Sequence, residues 1–338
     1  MSLKKARQFY QSLTQSQQHF VQKKLINDTM KVEQWLKFLS KAADYDAYTD
    51  TMESKYKKRF NTLIGFGVFL AFFGIFLLAF GLWYIYIIPI TLITLAIMQR
   101  RAFKKMQEQD LHNTLRLLFI PLLNVLMVKS GPQAKMSANL NFRDPRKDLD
   151  PKKYKDGRGR NVKRYRPTYI ISKVRLLDGG ILELVVADEL YDLNWTKRSA
   201  SGKTKYKSKN KTVHHTFVKL TVSKGNYQVK ETAVLPENVS VEETAETIIV
   251  KCKDKQKIAA IAILEADPVL ALLQSVYQAV ERTDGGEAVV TEGEGQKQPL
   301  PAEVWERGYF DEYDVVSMGY YSTMYDYDDD DHVNVFDS

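Results

Sequence analysis

Cysteine is nearly missing from this 338-residue sequence, and charge is wholly missing from one long stretch of it. A single Cys252 excludes an intramolecular disulfide, which fits a reducing compartment or a fold that does not depend on oxidation. Catalytic signatures are absent too: there is no phosphate-binding glycine loop, no paired-cysteine zinc pattern and no nucleophile elbow. The histidines are His19, His112, His214, His215 and His332. The adjacent His214 and His215 would point to opposite faces of a strand, which makes them poor joint metal ligands. The acidic run Asp328 to Asp331 lacks the glycine turn and spaced donors of a calcium loop. No catalytic residue, cofactor or metal is therefore expected.

The charge-free stretch runs from Thr62 to Met98, about twice the length of a single span of about 20 residues. It begins too far along the chain to read as a cleaved signal peptide. A turn near Gly81–Tyr84 would divide it into two helices, either full spans or a pair that enters one leaflet and returns. Lys55, Lys57, Lys58 and Arg59 precede it, and Arg100, Arg101, Lys104 and Lys105 follow it. The positive-inside rule places both flanks, and so both termini, in the cytoplasm of a multi-pass cell-membrane protein. Trp83, Tyr84 and Tyr86 would sit at the far headgroup layer. Gly67, Ala71, Gly74 and Gly81 form a stripe of small residues that admits close helix packing. The stripe receives either the second helix of the same hairpin or a helix of another chain, which would make a homo-oligomer. Phenylalanines 66, 69, 72, 73, 76 and 80 would mostly face lipid. No ionisable residue lies within the spans, which argues against a proton relay or a conducting pore.

Around that module the sequence divides into five parts. Residues 1–60 read as an amphipathic helical region, with Asn27–Thr29 as a break and cap between two helices. They form either a partner-binding arm or a helical pair packed on the chain's own soluble domain. Residues 61–99 form the hairpin. Residues 100–130 read as a helical connector, interrupted at Pro121 and ended by Gly131-Pro132. From 131 to 283 the period changes to two, and about six strands are expected. Met136, Ala138, Leu140 and Phe142 share one face. The Asp178-Gly179-Gly180 turn joins 168–177 to 181–190, and residues 223–226 join 212–222 to 227–234. Residues 247–252 add a strand, and a helix follows Asp267-Pro268. The fold class is a membrane α-helical hairpin plus a cytosolic α+β domain with an antiparallel sheet and a helical N-terminal region. Residues 284–338 are a linker and an acidic, aromatic tail.

Charge is partitioned sharply. Residues 284–338 hold fifteen Asp or Glu against Lys297 and Arg307, a net of −13, so residues 1–283 carry +21 of the overall +8. Eleven Lys or Arg fall between Arg143 and Arg166, among them Arg158, Arg160, Lys163 and Arg164. Between Lys197 and Lys211 there are seven and no acid. There Lys203, Lys205, Lys207, Lys209 and Lys211 alternate, so an extended strand would set all five ammonium groups on one side. These nine residues are the candidate anionic-surface site. The alternative is a solvated hairpin tip kept soluble by its charge. The partners expected are the bilayer itself and an anionic lipid or acidic protein; nucleic acid lacks a supporting motif. The function expected is a non-enzymatic membrane adaptor or scaffold whose basic domain engages an anionic surface or partner, modulated by the acidic tail. Two alternatives stand beside it. One is an enzyme with a site built from dispersed carboxylates such as Glu183 and Asp188, and the other is an oligomeric membrane-perturbing effector.

Overall fold

In the computed structural model, residues 3–78, 86–230, 235–258 and 264–283 are described. Gly81, the turn near it, and the linker and tail from 284 onward lie outside the described residues.

Two short helices, α1 (Leu3–Ser12) and α2 (Gln15–Lys23), open the chain. Thr14 and Gln17 close a reciprocal capping box at the start of α2, each side chain accepting from the other's backbone N–H. Lys24, at φ 56°, turns the chain out of α2 into strand β1 (Leu25–Lys31). The cap expected at Asn27–Thr29 is therefore a strand. It pairs antiparallel, residue for residue, with β2 (Lys135–Asn141), and that remote ladder overrides the local turn signal.

Helix α3 (Val32–Leu78) is 47 residues long, about 70 Å at 1.5 Å per residue. Its first turns are core: Val32, Trp35, Leu39 and Ala42 are fully buried. Trp35 Nε1 donates to the carbonyl of Met136 at 2.8 Å, so its polar handle is satisfied in the interior. Beyond Thr62 the same helix leaves the core. Phe66, Phe69, Phe72 and Phe73 are each more than half exposed. Among the described residues, α3 alone is long and apolar enough to cross a membrane, over Val32–Ile75, and only 11% of its apolar window is buried.

Helix α4 (Ile87–Gln109) runs back along α3. A Cβ added at Gly67 would meet Ile93 at 3.2 Å, and one at Gly74 would meet the Tyr86 ring at 3.2 Å, so the two helices are antiparallel. Tyr86 also donates to the carbonyl of Ala71 at 3.4 Å. Gly67, Ala71 and Gly74 thus receive the chain's own second helix. The connector does not begin a new helix at residue 100, because α4 continues to Gln109. A break at Asp110–Thr114 follows, then a π-helical turn (Leu115–Phe119) and α5 (Ile120–Ser130). Pro121 sits at the start of α5, where its missing N–H costs nothing.

The remaining elements are α6 (Pro145–Asp148), β3 (Lys152–Lys155), β4 (Asn161–Tyr165), β5 (Thr168–Arg175), β6 (Ile181–Arg198), β7 (Thr204–Ser223), β8 (Tyr227–Val229), β9 (Val239–Glu243), β10 (Thr247–Ile258), α7 (Ala266–Gln278) and β11 (Val280–Arg282). A nine-stranded antiparallel sheet runs in the order β1-β2-β5-β6-β7-β10-β9. The β3–β4 hairpin joins it through the outer half of β6. At the β5–β6 turn Gly179 takes φ 86°, and Asp178 Oδ1 accepts from the Gly180 N–H at 2.8 Å. The expected pairing across 223–226 does not form, because β8 pairs with β11 and β7 takes β10 as its neighbour. One sheet face carries Leu140, Ile170, Leu184, Val218, Leu220 and Val250, all buried beneath α3, α5 and α7 in one continuous core that also includes Phe20 and Val21 of α2. The N-terminal region is therefore part of this core.

The helix pair gives a direct test. Gly67→Leu should lower the midpoint of thermal unfolding in detergent, overpacking costing about 1–3 kcal/mol. Gly65→Leu, where an added Cβ meets nothing within 4 Å, should leave the midpoint in place.

Candidate functional site

Helices α3, α5 and α7 pack on one face of the sheet, and the residues of β6 and β7 that point away from them are mostly half-buried or exposed. Strand alternation and register decide what that outer face displays. On β7 the residues with even numbers (Val218, Leu220, Val222) point into the core, so the odd-numbered ones point out. Lys205, Lys207, Lys209 and Lys211 therefore form one outward row, opposite Lys197, Trp195, Leu193 and Tyr191 of β6 respectively. The extended form expected of this segment is present. Lys203 lies just before the strand, in the tip turn, where its carbonyl accepts from the Ser199 N–H at 2.9 Å.

A second row continues the first on the neighbouring strand, and sequence reading missed it. Lys251, Lys253, Lys255 and Lys257 of β10 pair with Lys219, Phe217, His215 and Val213, so they share the outer face. The signal was present as KCKDKQK at 251–257, the same alternation that marked 203–211. It was obscured because Cys252, turned inward, made the segment read as a core strand ending there. The two rows cover about 45 Å of strand, from Lys205 to Lys219, with strands about 4.8 Å apart.

The β3–β4 hairpin adds Arg158 and Arg160. Arg160 is anchored by Asp156 (2.6 Å) and lies 5.7 Å from the Trp195 ring centre. Burial, together with Lys209, Arg160 and Arg158, pushes the Lys211 ammonium below its usual pKa. Those cations are thus close enough to repel it, and the structure joins basic groups about fifty residues apart in sequence. At the other end acids compensate: Glu183 lies between Lys219 (3.4 Å) and Lys173 (3.7 Å), and Glu242 meets Lys251 at 2.6 Å. The excess positive charge is concentrated toward the β6–β7 tip.

Two of the predicted residues take other places. Lys163 is exposed but lies opposite Asp192, on the other side of the ribbon. Arg164 is removed from the surface altogether. Its side chain is 7% exposed, bonds Glu189 at 2.5 Å and lies 5.6 Å from the Tyr191 ring centre. Burial opposes the Glu189 charge, but contacts from His215, Tyr191 and Arg164 outweigh it and hold the carboxyl well below the ordinary range. Arg164 is a structural counter-ion, since a buried carboxylate needs one.

The dispersed carboxylates do not converge. Glu183 faces outward among lysines, whereas Asp188 faces the core, 2.6 Å from His214 Nδ1, with both side chains nearly buried. His112 stacks on Tyr169, ring centres 4.7 Å apart, and its own burial lowers its pKa. Asp188 and His214 thus form a buried pair, away from Glu183.

A further cluster joins the helix pair to the sheet domain. Asp46 and Asp50 on α3 and Asp110 after α4 bring carboxylate oxygens within 4.8 Å of one another. This is the metal-ligand spacing found among the described residues, but the Arg116 guanidinium already lies within it. Arg116 pairs with Asp46 (Nε to Oδ2, 3.1 Å), with Asp50 and with the Asn113 side chain. Asp46 Oδ1 accepts from the Leu111 N–H at 2.6 Å. Burial pushes Asp46 up to about 6, and burial with the neighbouring Asp46 and Asp50 pushes Asp110 up to about 8. Three carboxylates around one guanidinium therefore hold a proton near neutrality. Sequence could have pointed to Asp46, which continues the buried stripe of Trp35, Leu39 and Ala42 at helical spacing.

Two outcomes follow. Arg164→Met should destabilise the fold by about 2 kcal/mol in denaturant unfolding, since Glu189 loses its 2.5 Å partner but keeps Arg166 at 2.9 Å, whereas Lys163→Met should change it by under about 0.5 kcal/mol. For the aspartates, a folded pKa above the unfolded one means the folded chain binds the extra proton, so stability falls as pH rises toward about 8. Above about pH 7 His112 is neutral folded or unfolded and does not contribute. The melting temperature should thus fall from about pH 7 to about pH 8.5, and Asp110→Asn should flatten that slope and raise the upper end.

No protein-family model, no curated protein and no solved structure matches this chain, so what the lysine face binds must be read from its own chemistry.

Proposed function

We propose that this chain is a non-enzymatic membrane adaptor: α3 and α4 cross the bilayer as a hairpin, and the outer sheet face binds anionic lipid headgroups at the cytoplasmic surface. The observation that carries the reading is the register that sets the β7 and β10 lysine rows on the same sheet face, one continuing the other along it. Like charges in that arrangement repel, and a polyanionic surface opposite them turns the repulsion into attraction. Each basic group near an anionic leaflet contributes about 1 kcal/mol, so a face with Lys205, Lys207, Lys209, Lys211 and Arg158 binds reversibly but firmly.

Support for the hairpin is the apolar belt. Phe66, Phe69, Phe72 and Phe73 on α3 and Ile87, Ile88 and Ile90 on α4 are all at least 56% exposed. Such a surface is stable in hydrocarbon and a liability in water. The basic flanks at Lys55–Arg59 and Arg100–Lys105 then lie at the cytoplasmic headgroups, beside the domain. The Asp46–Asp110–Arg116 cluster ties the base of the helix pair to the π-helical turn, whose Leu115, Leu118 and Phe119 lie in the core.

The test uses the full chain in nanodiscs, one set of neutral phosphatidylcholine and one containing phosphatidylserine, with amine labelling read by mass spectrometry. With residues 302–338 deleted, Lys205, Lys207, Lys209 and Lys211 should label several-fold more slowly in the anionic discs, and high salt should restore the rate by screening. Equal labelling in both discs, with or without residues 302–338, would show that the face does not bind lipid, and would favour an acidic protein partner.

A further inference from the structure

The lysine face has a candidate occupant within the chain itself. We infer that the acidic tail, residues 302–338, docks on the outer face of β7 and β10 and must be displaced before an anionic surface can bind there. This rests on the same face as the lipid reading but not on lipid being its ligand.

Position comes first. The described chain ends at Thr283, whose N–H donates to the Asn226 carbonyl at 3.1 Å, while its hydroxyl donates to Gly225 at 3.4 Å. That is the turn immediately after β7, so the chain departs from the end of the face where Lys219 and Lys251 lie. A flexible linker with the length and Gly-rich composition of residues 284–301 would reach about 25 Å. The 37 residues from 302 to 338 can extend to about 120 Å, far beyond the 45 Å or so of the lysine rows.

Charge and chemistry agree. Between 302 and 338 there are eleven acids against Arg307, facing a body of +21. Asp326, Asp328 and Asp330 recur at every second residue, the pitch at which Lys207, Lys209 and Lys211 recur on β7. Tyr325 and Tyr327 interleave with these acids, and the face offers Trp195 and the half-buried Val185 and Phe217 as apolar contacts. Joining the segments by a linker of this length holds the tail at an effective concentration in the millimolar range. A free acidic peptide or a weakly charged membrane cannot match that, whereas a strongly anionic membrane patch can. The tail thus sets a threshold of surface charge for binding.

The experiment is zero-length carbodiimide coupling of carboxylates to amines in the full chain, held in neutral phosphatidylcholine nanodiscs. Light and ¹⁵N-labelled chains are mixed so that linkages within and between chains separate by mass. The expected products join acids of 303–331 to lysines of 205–219 and 251–257 within one chain. They should fall roughly tenfold in 1 M salt, where the screening length is about 3 Å, and in the triple variant Lys205→Glu, Lys207→Glu, Lys209→Glu. Deleting 302–338 should speed labelling of those lysines in the same discs. No linkage, linkage spread equally over Lys55–Lys58 and Lys104–Lys105, or linkage only between chains would each overturn the proposal. Slower lysine labelling in phosphatidylserine discs together with no tail linkage would leave the lipid reading standing alone. Tail linkage without any lipid effect in the deleted chain would leave only the tail.

Discussion

The long antiparallel pairing of β6 with β7 is the constraint from which the rest follows. Eighteen residues of β6 pair with eighteen of the twenty in β7 in unbroken register, from Ile181 opposite Thr221 to Arg198 opposite Thr204. A slip of a single residue would exchange the two faces of β7, sending Lys205–Lys211 to the inner side and Val218, Leu220 and Val222 to the outer. Register is therefore held at the core end, where burying three aliphatic side chains at about 1.5–3 kcal/mol each outweighs any preference of the tip. The tip has no core of its own, and its lysines are placed by apolar residues many positions away. The same ladder fixes Asp188 beside His214 inside and Glu183 among Lys173 and Lys219 outside.

The second join is between the sheet domain and the paired helices. Helix α3 passes without a break from a buried stretch, where Trp35 and Leu39 are inaccessible, to one where phenylalanines are more than half exposed. One rigid helix thus belongs to both halves of the molecule. The Asp46–Asp50–Asp110–Arg116 cluster sits at the changeover, opposite the break between α4 and the π-helical turn. Its position explains its composition. The backbone N–H of Leu111, in the irregular break after α4, needs a buried acceptor, and Asp46 supplies it. A carboxylate there needs a counter-charge, and Arg116 supplies that.

Much of this was legible in sequence, and the limits were physical. Period-two patterning located β2, β5 and β6 and the Gly179 turn correctly, because each buries one face and the turn demands a positive φ. The stripe of Gly67, Ala71 and Gly74 announced a close helix contact, and α4 provides it. The alternation at 203–211 announced one charged strand face. What failed was partner choice. Nothing local in Leu25–Lys31 says that it will pair with a strand more than a hundred residues on, and nothing in Tyr227–Val229 says that it will leave β7 for β11. Arg164 was counted with the surface because sequence shows a basic run but not the carboxylate waiting under one member of it. The second lysine row was visible but unread. A strand is assigned by its apolar face, and here the other face carries the information.

That unequal use of two faces bears on why the lysines alternate at all. Interspersed acids would make the β6–β7 tip just as soluble without crowding cations, and the uncompressed end of the face does use them: Glu183 and Glu242 sit beside Lys219, Lys173 and Lys251. Toward the tip compensation is thinner: Asp156 meets Arg160 at 2.6 Å, while four lysines recur along β7. Arg158 and Arg160 are brought in by a separate hairpin, and Lys211 loses part of its proton affinity to burial and to the neighbouring Lys209, Arg160 and Arg158. A folded chain that gathers cations from two segments against their mutual repulsion carries an electrostatic cost that any opposing polyanion relieves. The cost is local to one end of one face, so relief is local too, and a ligand that spans the rows gains more than one that merely neutralises net charge. A flat anionic layer and an extended acidic segment both meet that requirement, and a compact acidic surface with a single patch does not. Geometry at the tip thus selects for the shape of the charge as well as its sign.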